Sequence, residues 1–208
     1  MKFLKNILFV FIFLFSTQVY SAPVAGKDYK LIEPAQPTNS GNKIEVLEFF
    51  FYGCSHCFYL HPELTAWEKK MPKDVELVLV PTVFNANWEP MAFTYYALEA
   101  LGMNQKLHND LFEAWNVKNI SLNDESKITA FVSKFGVDGK KFSDAYHSFG
   151  VQSKVMRSKQ ITQAYRISGT PTMIVDGRYL ITGLQPAASI QVMEELVDKV
   201  RKERASKR

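Results

Sequence analysis

Cysteine is scarce in this chain of 208 residues, which contains only Cys54 and Cys57. A small secreted protein that depends on disulfides for stability normally spreads several cysteines along its length. A disulfide between these two would close a ring too short to constrain the unfolded chain much. The scarcity therefore argues against a structural disulfide framework.

The sequence also lacks histidines at the spacing of metal ligands and a large excess of basic or acidic residues. A structural zinc site needs four ligands, but His61, His108 and His147 are scattered without ligand spacing. We therefore predict no metal site, an exposed helical position for His61, and surface or boundary positions for His108 and His147. The 25 basic and 21 acidic residues nearly balance, so nucleic-acid binding is not predicted.

The apolar run at the N-terminus, Ile7 to Phe15, is far short of the roughly 20 residues that span a bilayer. Lys2 and Lys5 precede it and a more polar stretch follows, as in a secretory signal peptide cleaved before Ala22. We predict that residues 1–21 are removed on export, with an uncleaved anchor as the alternative. The 23 remaining basic and 21 acidic residues give a net charge of +2. Export places the cysteines in an oxidising compartment.

A strand–helix–strand pattern follows a polar lead-in over residues 22–42. Lys43 to Tyr52 is nearly continuous apolar sequence, typical of a strand buried on both faces. Gly53 ends this strand, a helix is predicted to open at Cys54, and Val75 to Val83 is predicted as a second buried strand. This order implies parallel pairing through a right-handed crossover.

The hydrophobic pattern becomes helical from Asn85. The helical segment is longer than an ordinary crossover between two parallel strands needs. Helices are predicted to end at three glycines, and a longer helix then runs from Val151 to Ile167. The predicted ends are Gly102, Gly136 and Gly150. This segment is predicted to be a helical subdomain.

Strands return in the last part of the chain. Thr172 to Thr182 contains two short β runs around Asp176-Gly177, the strongest short hairpin signal, and residues 189–203 have the pattern of an amphipathic helix. The predicted fold is α/β: a thioredoxin fold (βαβ…ββα) with an inserted all-helical subdomain. Its predicted divisions are residues 22–84 and 160–208 for the thioredoxin domain and 85–159 for the insertion.

The Cys-x-x-Cys motif directly follows a buried strand and opens a helix, which is a much stronger signal than the motif alone. The free N–H groups and the dipole at a helix start stabilise the Cys54 thiolate. His56 adds a donor and, when protonated, a positive charge, whereas Cys57 lies one turn further in. Each unit by which the pKa of Cys54 falls stabilises the reduced form and makes the couple more oxidising by about 30 mV.

A second signal is the segment Ser168 to Thr172, "SGTPT". In a thioredoxin arrangement Pro171 faces the cysteine pair with a cis peptide bond, which exposes the backbone of the preceding residue to a substrate chain. The alternative is a proline that merely ends the preceding helix.

The signal peptide, "FFFYGCSHC", the helical insertion and "GTPT" together resemble the DsbA family of periplasmic thiol:disulfide oxidases of Gram-negative bacteria. The resemblance implies that Cys54 is the attacking and accepting cysteine, that Cys57 is its buried disulfide partner, and that Pro171 is the cis-proline. It also implies unfolded exported proteins as substrates, reoxidation by a quinone-linked membrane protein of the DsbB type, a monomeric chain and no cofactor.

Two residues depart from that family pattern. Ser55 stands where proline is familiar, and Thr170 precedes the proline where valine is often found. Both positions influence redox poise and substrate affinity. Thr170 also occurs in disulfide isomerases, so an isomerase or reductase with the same fold is one alternative function, and a non-catalytic exported binding protein is another.

Glu48 is an acidic residue inside the predicted buried strand. A buried carboxylate has a raised pKa and could relay a proton to or from Cys57. The alternative is that Glu48 points to solvent at a strand edge or pairs with a lysine.

Overall fold

The computed structural model describes residues 22–206, so the predicted signal peptide lies outside the described residues. No helix in this described range is both long and apolar enough to cross a membrane. The elements in chain order are β1 (Lys30–Leu31), β2 (Ile44–Phe50), α1 (Ser55–Glu68), β3 (Val75–Pro81), α2 (Glu89–Ala100), α3 (Asn104–Asn116), α4 (Glu125–Ser133), α5 (Gly139–Tyr146), α6 (Phe149–Ala164), β4 (Thr172–Val175), β5 (Tyr179–Thr182) and α7 (Pro186–Ala205).

The strands form one mixed sheet in the order β1-β5-β4-β2-β3. Strand β2 pairs in parallel with β3 and antiparallel with β4, so that Phe49 lies between Val80 and Thr172. All seven residues of β2 are buried, because helices cover both faces of the sheet. The predicted thioredoxin fold and the parallel βαβ unit are confirmed.

The side chains of β2 alternate between the two faces of the sheet. Val46 packs with α1 and α7, and Phe50 packs with the helical insertion. Leu47 and Phe49 face the opposite side, where Tyr165 and Ile167 cover them. Glu48 shares the face of Val46 and Phe50, and therefore points toward α1.

The helical insertion contains helices α2 to α6, as the long helical pattern predicts. Gly150 does not end a helix, however. The side chain of Ser148 caps α6 by accepting from the N–H of Val151 at 3.2 Å, so the glycine lies in the first turn of that helix. The predicted division at residue 159 falls inside α6, and the three predicted divisions of the chain stay predictions.

The lead-in holds a strand that the sequence pattern did not predict. Lys30 and Leu31 form β1, which pairs antiparallel with β5 at the sheet edge. The lead-in then passes the β4–β5 turn, where a Cβ on Gly177 would lie 2.1 Å from the carbonyl oxygen of Gln36. Asp176 and Gly177 have φ values of +54° and +66°, which confirms the Asp-Gly hairpin.

Candidate active site

Cys54 is the N-cap residue of α1. Its sulfur accepts from the N–H of Cys57 at 3.4 Å, and in the thiol form it donates to the carbonyl oxygen of Thr170 at 3.2 Å. The hydrogen bond from the Cys57 side chain lowers the pKa of Cys54 to about 5 against the effect of burial, helped by the Thr170 side chain and by the backbone N–H groups of Cys57 and His56. Half-buried Cys54 therefore holds a thiolate at neutral pH.

Cys57 has the opposite environment. Its side chain is fully buried, and burial is the main cause that raises its pKa far above the ordinary thiol value. The hydrogen bond to Cys54 and the negative charge of Glu48 act in the same direction. Both cysteines are free thiols in this structure. The pair therefore combines one half-buried anionic sulfur with one buried neutral sulfur.

The loop before β4 lies next to the cysteine pair, with the carbonyl oxygen of Thr170 3.2 Å from the Cys54 sulfur. The peptide bond between Thr170 and Pro171 is cis, and Thr172 begins β4. Because β4 pairs with β2, the loop is brought to the strand end from which Cys54 follows. Helix α6 ends at Ala164, well before Pro171, so Pro171 does not end that helix.

Glu48 is buried, with 3% of its surface exposed, so the strand-edge alternative is wrong. Burial raises its pKa to about 8, and a charge on Cys54 adds to the rise. Conversely, the Glu48 charge raises the pKa of Cys57. The carboxyl group is therefore electrostatically coupled to both sulfurs.

His56 is exposed beside the cysteines. It lines a cleft of about 510 Å³ together with Tyr59, Thr170 and Pro171, and residues from β5 to the start of α7 close the other side. The structure thus brings together Cys54, Cys57, His56, Thr170 and Pro171, with Glu48 beneath them.

The prediction of surface or boundary positions was wrong for His108 and right for His147. His108 is buried in the helical core, and its Nδ1 atom is 2.7 Å from the hydroxyl of Tyr52. His61 is half-buried rather than exposed, with its ring stacked on Phe112. The spacing of His108 to Leu111 and Phe112, which lie on one helical face, is the signal that could have placed it inside.

Metal ligands are not grouped in this part of the molecule. Among residues 22–206, no three side chains of His, Cys, Asp or Glu lie close enough to hold a metal ion. The groups with the most altered acidity at the site are the two thiols and the Glu48 carboxyl, which suits thiol–disulfide exchange.

Residues 45–195 match the family model of the DSBA-like thioredoxin domain. The chain belongs to this family. It is 38% identical to the thiol:disulfide interchange protein DsbA of Burkholderia cepacia, covering 86% of this chain and 87% of that protein. Identity to the protein of the same name from Pseudomonas syringae pv. tomato is 34%, over 91% and 90% of the two chains.

Solved structures of DsbA proteins have the same fold as this chain. The crystal structure of Pseudomonas aeruginosa DsbA superposes with a TM-score of 0.84 at 32% identity, covering 89% of this chain and 97% of that one. NmDsbA1 of Neisseria meningitidis superposes with a TM-score of 0.80 at 29% identity, over 88% and 96%. Membership of the DsbA family makes this protein a thiol:disulfide oxidoreductase.

Proposed function

We propose that this protein is a periplasmic oxidase that donates a Cys54–Cys57 disulfide to newly exported proteins. The observation that carries the proposal is the opposite acidity of the two thiols: the pKa of Cys54 is lowered to about 5 and that of Cys57 is raised. A stabilised thiolate makes the reduced form the favoured one, so the disulfide is readily given away.

The reaction exchanges two electrons between dithiols. A substrate thiolate attacks the Cys54 sulfur of the disulfide, the Cys54–Cys57 bond breaks, and Cys57 leaves and takes up a proton. A second substrate thiolate then attacks the substrate sulfur of the mixed disulfide and releases Cys54 as a thiolate. The substrate gains a disulfide and the enzyme becomes a dithiol, without a cofactor.

Glu48 is proposed to supply the proton that Cys57 needs. The buried Cys57 sulfur is a poor leaving group as an anion, because burial raises its pKa. The Glu48 carboxyl group has a pKa of about 8, so it holds a proton at neutral pH and can transfer it to the leaving sulfur. In the reverse direction the carboxylate can take the proton back.

Thr170, Pro171 and His56 are proposed to serve the substrate and the thiolate. The backbone of Thr170 lies beside Cys54, where an extended substrate segment can add hydrogen bonds to it, and the adjoining cleft can take apolar substrate side chains. The His56 ring, when protonated, adds a positive charge near the thiolate.

The setting and partners of the reaction belong to the same proposal. Residues 1–21 are proposed to direct export, after which the chain acts as a monomer on unfolded proteins with free cysteines. A quinone-linked membrane protein of the DsbB type is proposed to restore the disulfide.

The redox equilibrium of the pair with glutathione tests the proposal. We expect a potential well above the glutathione couple, together with oxidative refolding of a reduced substrate that is lost in Cys54→Ser. A potential near that of thioredoxin would instead assign a reductase. Retention of the biological effect by Cys54→Ser would assign a non-catalytic binding protein.

A further inference from the structure

Tyr52 lies two residues before Cys54 and makes two contacts with helix α3, one through its backbone carbonyl and one through its side-chain hydroxyl. The Nδ2 group of Asn116 donates to the carbonyl oxygen of Tyr52 at 2.8 Å, and His108 Nδ1 is 2.7 Å from the Tyr52 hydroxyl. The two contacts come from residues about two turns apart on the same helix, whose last residue is Asn116. We call Tyr52, His108 and Asn116 the α3 clamp.

The hydroxyl contact does not depend on pH in the neutral range. Burial raises the pKa of Tyr52, so its hydroxyl keeps the proton. Burial, together with the charge of His61, lowers the pKa of His108 to about 3. The imidazole is therefore neutral, and one hydrogen bond joins its Nδ1 atom to the hydroxyl.

The segment between Tyr52 and the active-site sulfur has little room to move. A Cβ on Gly53 would lie 2.5 Å from the Phe51 ring and 3.2 Å from Trp115, which belongs to α3. The N–H of Cys54 closes a turn on the carbonyl oxygen of Phe51 at 3.0 Å. Any displacement of Tyr52 is consequently passed on to Cys54.

The contacts of the Cys54 sulfur are sensitive to such a displacement. The N–H of Cys57 donates to the sulfur at 3.4 Å and lowers the pKa of Cys54, and hydrogen bonds weaken steeply with loss of geometry. A reactive group keeps its geometry only when the surrounding residues hold it.

We propose that the α3 clamp sets the position of the Cys54 sulfur and thereby the oxidising strength of the pair, with Tyr52, His108 and Asn116 as positioning residues. This inference rests on the proposed oxidase function. It assigns to the helical insertion a part in tuning the redox pair.

Tyr52→Phe and His108→Leu test the hydroxyl arm of the clamp. In each purified variant we expect the pKa of Cys54 to rise by about 0.5 to 1 unit and the equilibrium constant with glutathione to shift about 3- to 10-fold toward a weaker oxidant. The double variant should shift no more than either single one, because both remove the same bond. His108→Asn, whose side-chain amide can either donate to or accept from the Tyr52 hydroxyl, should restore most of the original value.

Tyr95→Phe is the matched control. Tyr95 is a buried tyrosine of the same cluster, with its ring 5.5 Å from that of Phe50, but it lies outside the segment that leads to Cys54. We expect it to leave the pKa of Cys54 unchanged, with thermal unfolding measured for all variants.

If the pKa of Cys54 were unchanged in a folded Tyr52→Phe variant, the clamp proposal would be overturned. An equal shift of the Cys54 pKa in Tyr95→Phe would also overturn it. Neither result would affect the oxidase proposal, which depends on the potential of the unmodified protein. Conversely, a thioredoxin-like potential of the unmodified protein would overturn the oxidase proposal, while the comparison of variants would still show whether the clamp acts on Cys54.

Discussion

The carbonyl oxygen of Thr170 lies 3.2 Å from the sulfur of Cys54, although 116 residues separate them in the chain. The pairing of β2 with β4 makes this contact, because one strand leads into Cys54 and the other follows the Thr170–Pro171 loop. The site is therefore shared between the two halves of the thioredoxin fold.

The acidity of Cys54 predicts how the redox potential depends on pH. With a folded pKa of about 5, the stabilisation of the reduced form is present above that pH and is lost as the pH falls through it. We expect thiolate absorbance of the reduced protein to change with a midpoint near pH 5. The potential should vary by about 30 mV per pH unit above the midpoint and about 60 mV below it. A midpoint near the ordinary thiol value would contradict the prediction.

Glu48→Gln is expected to stabilise the reduced protein at neutral pH. The raised pKa of about 8 means that the folded protein binds a proton that the unfolded chain releases, so stability is lost as pH rises from about 4.5 to 8. We expect Glu48→Gln to remove this loss, a gain of about 3 kcal/mol at pH 7, measured by urea unfolding at pH 5 and pH 8.

Glu45→Gln is the control for that measurement. Glu45 is a second buried acid of β2, but its carboxylate accepts hydrogen bonds from Asn39 and Ser40. Its substitution should destabilise the protein.

The same Glu48→Gln variant tests the proposed proton transfer to Cys57. If its pH profile of thiol exchange is the same as that of the unmodified protein, that proposal is wrong.

His56→Ser is expected to raise the pKa of Cys54 by up to about one unit, because the His56 ring, when protonated, places a positive charge near the half-buried thiolate. The backbone N–H groups at the helix start remain, so the pKa should stay well below that of a free thiol. The shift should shrink in high salt, since the ring is exposed and its charge is screened. Ser55→Ala, a neighbouring uncharged change, should show no such salt dependence.

Gly53→Ala is expected to destabilise the protein by about 1 to 3 kcal/mol through overpacking. The new methyl group would strike the Phe51 ring at 2.5 Å, and that ring cannot retreat easily because it is stacked on Trp88. Thermal unfolding measures the loss, and adding Phe51→Leu should recover part of it. Gly150→Ala, with open space around its Cβ, should cost nothing.

Much of the fold was predictable because burial leaves a strong local pattern. Strand β2 is buried on both faces and reads as an almost unbroken apolar run, and the Asp176-Gly177 turn needs residues that accept positive φ. The start of α1 at the cysteine motif was equally clear. These features depend on a few neighbouring residues, which the sequence shows directly.

Other features depended on distant partners and were missed. Strand β1 is only two residues long and exists because β5 offers an unpaired edge. Gly150 has the residue type of a helix end, but the Ser148 cap starts a new helix around it. The spacing of His108 to Leu111 and Phe112 could have placed it on the buried face of α3, but its contact with Tyr52 joins two distant segments, and no local pattern shows such a partner.

The place of the helical insertion in the chain also has a consequence during export. A chain delivered from its N-terminus presents Cys54 and Cys57 long before Thr170 arrives, and the centre of the sheet cannot close until β4 has joined β2. Such distant pairing forms slowly. Until then Cys54 lacks Thr170, which is one of the residues that lower its pKa. On the proposed function, an unfinished chain is itself a dithiol that finished copies can oxidise.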